Sequence, residues 1–335
     1  MVDDSPAPLP GTAFYTVADQ RFFPGLVALL NSLRLTGHAE PLIVVDIGLT
    51  PGQRELLADH VTLVEPPSPD MPAVFLAPYG PRRRPAEVAV LIDADIIVTR
   101  PLTEITEAAG RGRIAAFVDC LPNSNRFHPE WETTLGLGPL DRRPYLNAGF
   151  LAYPHTLTDR LLPPWTQGQQ TIGIAHSRYG RATLDDPFYF ADQDVLNAVL
   201  SARFEPGELL VLDHRLAPHP PFPGLTLTDR QHLTCRYGDG TKPFLLHHVL
   251  AKPWLRATRD TLYSTLMTRL LLEPDVALPL DPSSLPLRLR EGRAAALDRR
   301  RADAVTFVHD HGRRQLGRFG IRTRLARWRS RQAAH

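Results

Sequence analysis

The sequence lacks any apolar run of about 18 residues, the length that a membrane-spanning helix requires. It opens with two acidic residues, Asp3 and Asp4, where a secretory signal carries basic ones, and no apolar segment of the signal type follows. Only two cysteines are present, Cys120 and Cys235, too few for a disulfide framework and not spaced as a metal-binding pair. We therefore expect a cytoplasmic protein with two buried thiols.

Lysine is almost absent, since only Lys242 and Lys252 are lysines among 38 basic residues. Arginine is concentrated near the end, where residues 288–331 contain 14 arginines and four acidic residues. That segment carries an excess of +10, and because the net charge is +2, the rest of the chain carries −8. This asymmetry predicts an acidic body and a basic tail.

The Arg-rich tail admits two interpretations. A basic helix with scattered apolar residues is typical of a segment that lies on an anionic membrane, here the inner face, and it is also compatible with a helix packed on the body. No nucleic-acid-binding motif accompanies the charge, so we expect no nucleic-acid partner.

Apolar runs of strand length alternate with amphipathic helical segments, which predicts an α/β protein with a Rossmann-like, mainly parallel central sheet. Strands are predicted at residues 12–17, 42–45, 61–64, 88–92, 114–118 and 150–153, and helices at 22–35, 51–60 and 192–199. We expect one α/β domain over residues 1–277. A Pro-containing linker and the Arg-rich helical tail are expected over residues 278–335.

The strongest local signal is a pair of carboxylates, Asp93 and Asp95, that follows the apolar run 88–92. Their spacing places both side chains on one side of an extended segment. Two ionised carboxylates so close together repel each other unless a cation lies beside them. A divalent ion such as Mn²⁺ or Mg²⁺ would supply that charge. The alternative is a structural pair that caps a turn or contacts the arginines at 82–84.

Four segments occur in an order that resembles glycosyltransferase family 8, the retaining GT-A enzymes related to glycogenin and bacterial lipopolysaccharide galactosyltransferases. The segments are Leu91–Val98, Asn147–Phe150, Asp192–Asn197 and Lys252–Trp254. The resemblance covers about residues 12 to 256. It implies a GT-A fold and a metal-dependent transfer of a hexose from a nucleotide-sugar, with a UDP-sugar as the expected donor, to an acceptor that the sequence does not name.

The resemblance also implies a role for individual positions. The donor-binding residues by this correspondence are Thr16, Val17, Ala18, Asp19, Asn147, Ala148, Gly149 and Lys252, with Arg84 as a further basic residue near the donor. Asp93 and Asp95 match the metal ligands, and Asp192 and Gln193 match the residues beside the transferred sugar, where Gln193 is nearest the reacting carbon. Asp19 and Asp192 have an alternative interpretation as helix caps.

The third metal ligand is less simple to assign. The family places a histidine six residues before the lysine, with a glycine between them, but here that position is Leu246 and the glycine is absent. We choose His247 as the ligand and keep His248 as the alternative; both could also be ordinary loop histidines. Lys252 matches the lysine that binds the diphosphate, a compact point charge suited to phosphate.

The resemblance implies retention of the anomeric configuration. No carboxylate nucleophile stands out, so a front-face displacement is our hypothesis. One rival function is a sugar nucleotidyltransferase, although residues 16–25 contain a single glycine rather than a Gly-rich phosphate loop. The other is a non-catalytic nucleotide-sugar-binding protein, which the altered spacing before Lys252 would suit. We expect the acceptor to bind loops within 121–140 and 156–187.

Overall fold

The computed structural model describes residues 7–120, 123–249, 251–255 and 261–290. The strands are β1 (Leu9–Ala18), β2 (Leu42–Asp46), β3 (Thr62–Val64), β4 (Ala86–Ile92), β5 (Ile96–Val98), β6 (Ile114–Val118), β7 (Leu146–Pro154), β8 (Leu209–Leu212), β9 (Leu225–Asp229), β10 (Thr234–Tyr237) and β11 (Leu245–His247). The helices are α1 (Phe23–Leu35), α2 (Pro51–Leu57), α3 (Tyr79–Arg83), α4 (Thr103–Gly110), α5 (Glu130–Leu135), α6 (Thr158–Ile172), α7 (Asp192–Arg203) and α8 (Thr261–Leu272).

A seven-stranded sheet in the order β3-β2-β1-β4-β7-β6-β8 forms the centre of the protein. Its pairings are parallel except that β7 runs antiparallel to both of its neighbours, β4 and β6. Two further pairs, β9–β10 and β5–β11, are antiparallel. The predicted mainly parallel α/β architecture is confirmed.

The sheet is covered on both faces, which explains the near-continuous apolar sequence of its central strands. One face packs against α1, where Leu26 and Leu29 are fully buried. The other face packs against α6 and α7, where Trp165 is fully buried. At α2, Thr50 and Gln53 form the reciprocal side-chain to backbone bonds of a capping box, as their spacing predicts. Across the described residues, no helix is both long enough and apolar enough to pass through a membrane.

The segment 278–290 packs against the body. Asn31, fully buried on α1, donates to the carbonyl of Leu278 at 2.8 Å and accepts from its N–H at 2.9 Å. Leu285 and Leu289 are also buried in the core. Part of the segment predicted as a linker therefore contributes to the core. The boundary at 277 stays a prediction, and the rest of the Arg-rich tail, 291–335, lies outside the described residues.

The direction of the strands determines where polar side chains collect. The carboxyl ends of β1, β4 and β6 meet at one edge of the sheet because these strands run the same way. The antiparallel strand β7 begins at that edge, and α7 begins beside it, with Gln193 bonded to the N–H of Ala148. Ligands of open α/β sheets bind in this position.

Candidate active site

Asp93, Asp95 and His247 converge at the carboxyl end of β4. The two aspartates occupy the turn between β4 and β5, which the N–H of Ile96 closes by donating to the carbonyl of Asp93. Pairing of β11 with β5 places His247 opposite Ile96. Nε2 of His247 consequently lies 3.4 Å from Oδ2 of Asp93 and 3.2 Å from Oδ1 of Asp95. The three ligand atoms all lie within 4.8 Å of one another.

His248 lies outside this cluster. The centre of its ring lies 4.8 Å from the centre of the Tyr263 ring. The backbone N–H of His248 donates to the carbonyl of Asp95. Successive residues of an extended chain point to opposite sides, so His248, which directly follows β11, points away from the aspartates that His247 faces. The geometry places His247, the histidine that the sequence favours, next to Asp93 and Asp95.

The charges of the cluster are strongly coupled. Burial alone would lower the pKa of His247, but the carboxylates of Asp95 and Asp93 outweigh burial and raise this pKa to about 9. Burial would likewise raise the pKa of Asp95, but Lys252 and His247 hold it well below its usual range. Asp95 is therefore held in the ionised state that a metal ion requires, whereas His247 binds an ion only after it releases its proton.

The residues present fit a divalent cation. Oδ1 of Asp95 is buried and forms no well-aligned hydrogen bond within the described part of the chain. Gly149 provides room beside it, since a Cβ there would overlap the ring of His247 and lie 2.8 Å from Oδ2 of Asp93. Two carboxylates and one imidazole form a donor set that suits a divalent ion.

Lys252 lies directly at this cluster. Its Nζ forms an ion pair with Asp95 and donates to the carbonyl of His248. Two residues further on, the indole N–H of Trp254 donates to the carbonyl of Arg21 at 2.8 Å. The segment that carries Lys252 is thereby anchored to the start of α1.

A buried amide network adjoins the cluster. Oε1 of Gln193 accepts from the N–H of Ala148 at 3.0 Å and from the amide of Asn147 at 3.2 Å, and its Nε2 donates to Oδ2 of Asp119 at 2.9 Å. One turn later on α7, Asn197 bonds both the N–H and the carbonyl of Leu146. These bonds join α7 to the start of β7 and hold both ends of the Gln193 amide.

Asp192 lies beside the network and is partly buried. Burial, and secondarily the charge of Asp93, raise its pKa well above the usual range, although Arg178 opposes this shift. The residue that caps α7 is Ala191, so Asp192 does not cap the helix as its alternative interpretation would have it. Similarly, Asp19 accepts from the N–H groups of Arg21 and Phe22 in the turn before α1 but is not the helix cap.

The predicted donor residues of β1 border a cleft. Thr16 and Val17 line it together with Asp93 and Ala148. The Oγ1 of Thr16 is buried and has no hydrogen-bond partner among the described residues. Ala18 pairs with Asp46 of β2 next to it. Arg84 directly follows α3 and has an exposed side chain, and its carbonyl accepts from the hydroxyl of Tyr15, which lines the same cleft.

Two residues of the site were not predicted. Asp119 follows β6 directly, and a polar residue at that strand end was a usable signal because Asp93 follows β4 in the same way. Arg178 donates to the hydroxyl of Tyr179 at 2.8 Å, and its charge acts on Asp192. It comes from the segment between α6 and α7, whose sequence has no pattern that would place it at the site.

Comparisons with known proteins agree with this architecture. No protein-family model and no curated protein matches the chain. Among solved structures, the bifunctional glycosyltransferase WbbM superimposes with a TM-score of 0.54 at 14% identity, over 82% of this chain and 51% of that one. The galactosyltransferase LgtC, solved with donor and acceptor sugar analogues, superimposes with a TM-score of 0.50 at 16% identity, over 78% of this chain and 98% of that one.

The chain has the GT-A glycosyltransferase fold. A third structure, apo GlyE from Streptococcus pneumoniae TIGR4, agrees with a TM-score of 0.50 at 14% identity, over 78% of this chain and 61% of that one. The chain spans about half the length of WbbM. At these identities the similarity establishes the fold, and the activity has to be argued from the site.

Proposed function

We propose that the protein is a metal-dependent glycosyltransferase that moves a hexose from a UDP-sugar to an acceptor with retention of configuration. The convergence of Asp93, Asp95 and His247 next to Gln193, at the ligand-binding edge of a glycosyltransferase fold, carries the proposal. LgtC, which shares the fold, was solved with a donor analogue bound.

The transition state of glycosyl transfer places positive charge on the sugar and negative charge on the departing diphosphate. A Mn²⁺ or Mg²⁺ ion held by Asp93, Asp95 and His247 would supply positive charge to that diphosphate. Lys252, already at the cluster, adds a second positive charge. Arg84 is the candidate for a third, because it directly follows α3 and its carbonyl accepts from Tyr15, a residue of the cleft.

The residues beside the sugar support a front-face displacement. Oε1 of Gln193 already accepts two hydrogen bonds from the protein, so its lone pairs are engaged and it is poorly suited to attack the sugar. Burial, and secondarily the charge of Asp93, raise the pKa of Asp192 and so disfavour the ionised carboxylate that a nucleophile requires. In this proposal Gln193 and Asp192 shape the site around the reacting carbon, and the leaving phosphate accepts the acceptor's proton.

The direct test is release of UDP from UDP-glucose and UDP-galactose by the purified protein with Mn²⁺. Turnover is expected with at least one donor, and chelation by EDTA should abolish it. Asp93→Asn should lower the rate about 100- to 1,000-fold, the usual effect of removing one charge-stabilising group. Asp70→Asn, a substitution at an exposed loop position, is the matched control and should keep full activity.

Three outcomes contradict parts of the proposal. Binding of UDP-sugar without turnover would favour the non-catalytic alternative, and formation of a UDP-sugar from UTP and a sugar phosphate would favour a nucleotidyltransferase. Inversion at the anomeric carbon, read by NMR of the product, would remove the retaining assignment. Cytoplasmic location and membrane contact through the Arg-rich tail stay predictions, because the tail falls outside the described residues.

A further inference from the structure

A second cluster of metal-ligating side chains lies at the end of β6. Asp119 and Cys120 follow this strand, and His219 reaches them from the segment between β8 and β9. Nδ1 of His219 lies 3.0 Å from Sγ of Cys120 and 3.6 Å from Oδ1 of Asp119. The three ligand atoms fall within 4.8 Å of one another, as do those of the Asp93 cluster.

The position of the cluster is suited to binding an ion from solution. Asp119 and His219 are buried, at 4% and 8% exposure, and are therefore held in place. Cys120 is only partly buried and leaves a path from the solvent. Oδ1 of Asp119 also accepts from the N–H of Cys120, which fixes the carboxylate next to the thiol.

The side chain of Cys120 is a thiol in the absence of a cation. Burial and Asp119 raise the pKa of the Cys120 thiol to about 11. This cysteine therefore stays a thiol until a cation replaces its proton.

We propose that Asp119, Cys120 and His219 form a second cation site, separate from Asp93, Asp95 and His247 and selective for a thiophilic divalent ion of the Zn²⁺ class. One thiolate, one imidazole and one carboxylate make three protein ligands and leave a fourth position open, a common arrangement for zinc. Mg²⁺ and Mn²⁺ prefer oxygen ligands. A thiolate therefore disfavours Mg²⁺ strongly and binds Mn²⁺ only weakly. On binding, a Zn–S bond forms, the S–H bond breaks and the proton passes to solvent.

The site adjoins the groups of the first cluster without sharing a ligand with it. Oδ2 of Asp119 accepts from Gln193, and the ring of His219 packs edge-on at 5.1 Å from the ring of His247. An ion at the second site would therefore hold the same carboxylate that positions the Gln193 amide. The two sites differ in donor chemistry, because only the second contains sulfur. That difference allows them to be distinguished without measuring any transferase activity.

The test is titration of the reduced, metal-free, full-length protein with Co²⁺, read by absorbance. Cobalt bound to a thiolate gives a near-ultraviolet charge-transfer band, whereas cobalt bound to carboxylates and imidazole alone does not. We expect the band in the wild-type protein, its loss on adding Zn²⁺, and its persistence with excess Mg²⁺. Asp93→Asn should keep the band, because it alters only the first site.

Cysteine variants decide the assignment. Cys120→Ser should abolish the band, whereas Cys235→Ser, which alters the buried cysteine of β10, should retain it. His219→Ala should weaken Zn²⁺ binding at least tenfold in competition with a chromogenic chelator. If circular dichroism shows that Cys120→Ser is misfolded, Cys120→Ala serves in its place. Absence of the band in the wild-type protein, or its survival in the Cys120 variant, would overturn the proposal.

Discussion

The indole ring of Trp254 lies directly against the α-carbon of Gly25. A Cβ at Gly25 would lie 2.7 Å from Cη2 of the indole and would overlap the carbonyl oxygen of Ala94, the residue between the two cluster aspartates. Helix α1 thus approaches both the metal-cluster turn and the segment that carries Lys252, and only a residue without a side chain permits that approach.

Gly25→Ala should disturb both segments at once. Overpacking of this kind costs about 1–3 kcal/mol, and we expect a loss of stability of that size together with weaker Mn²⁺ binding, because the carbonyl of Ala94 must move. Denaturant midpoints and Mn²⁺ titration measure the two effects. Gly52→Ala on α2 is the matched control, since a Cβ there meets no atom within 4 Å. Equal behaviour of the two variants would contradict the packing argument.

Substitutions of Asp93 and of Asp95 should have different effects on the stability of the metal-free protein. Asp95 is 8% exposed and pairs with Lys252 and His247, so Asp95→Asn removes the carboxylate of a buried ion pair and should cost about 3 kcal/mol. Asp93 is 55% exposed, and Asp93→Asn should change stability by less than about 0.5 kcal/mol. Both variants should lose Mn²⁺ affinity, detected by electron paramagnetic resonance. An Asp95→Asn variant as stable as the wild-type protein would show that the ion pair between Asp95 and Lys252 contributes little to the free energy of unfolding.

Arg178 should contribute to donor binding. Its guanidinium bonds the Tyr179 hydroxyl, and its charge acts on Asp192, one of the residues proposed to lie beside the sugar. A hydrogen bond to a charged group contributes about 1.5–3 kcal/mol, so Arg178→Ala should lower kcat/KM about 10- to 100-fold. Arg181→Ala, an exposed arginine of the same segment, should leave it unchanged. An unaltered value in the Arg178 variant would remove this residue from the donor site.

His219 and His248 should contribute a loss of stability to the metal-free protein as the pH falls from about 6.5 to about 4, whereas Asp192 and Asp194, whose pKa values burial raises, contribute in the opposite direction. Burial, as the largest cause, lowers the pKa of His219 to about 3 and that of His248 to about 4, whereas the unfolded value is about 6.5. In this window the unfolded chain binds more protons, so acidification favours unfolding by about 1.4 kcal/mol per pH unit for each histidine. His247 does not oppose the trend, because its pKa of about 9 confines its contribution to higher pH.

Denaturant unfolding of the metal-free protein at several pH values between 4.5 and 6.5 measures this slope. His219→Gln should lower this slope by up to about 1.4 kcal/mol per pH unit, since His219 no longer titrates. His232→Gln, whose side chain is 78% exposed, should leave it unchanged. An unchanged slope in His219→Gln would contradict the neutral, buried state of this histidine.

Much of the framework follows from local patterns. Strands β1, β2, β4 and β6 coincide closely with their apolar runs, and the capping box at Thr50 lies where its four-residue signature indicates. The antiparallel insertion of β7 between β4 and β6 was not predictable, because pairing direction depends on partners remote in sequence. The short pairs β5–β11 and β9–β10 have too few residues to show a periodic pattern.

The sequence by itself determined the α/β class and the placement of Asp93 and Asp95 at a strand end, because both depend on the order of neighbouring residues. Only the tertiary structure decided that His247 rather than His248 joins them, since the register of β11 against β5 selects which side of the strand faces the aspartates. It also brought Asp119, Cys120 and His219 together. That assembly depends on packing between distant segments, which a linear pattern does not encode.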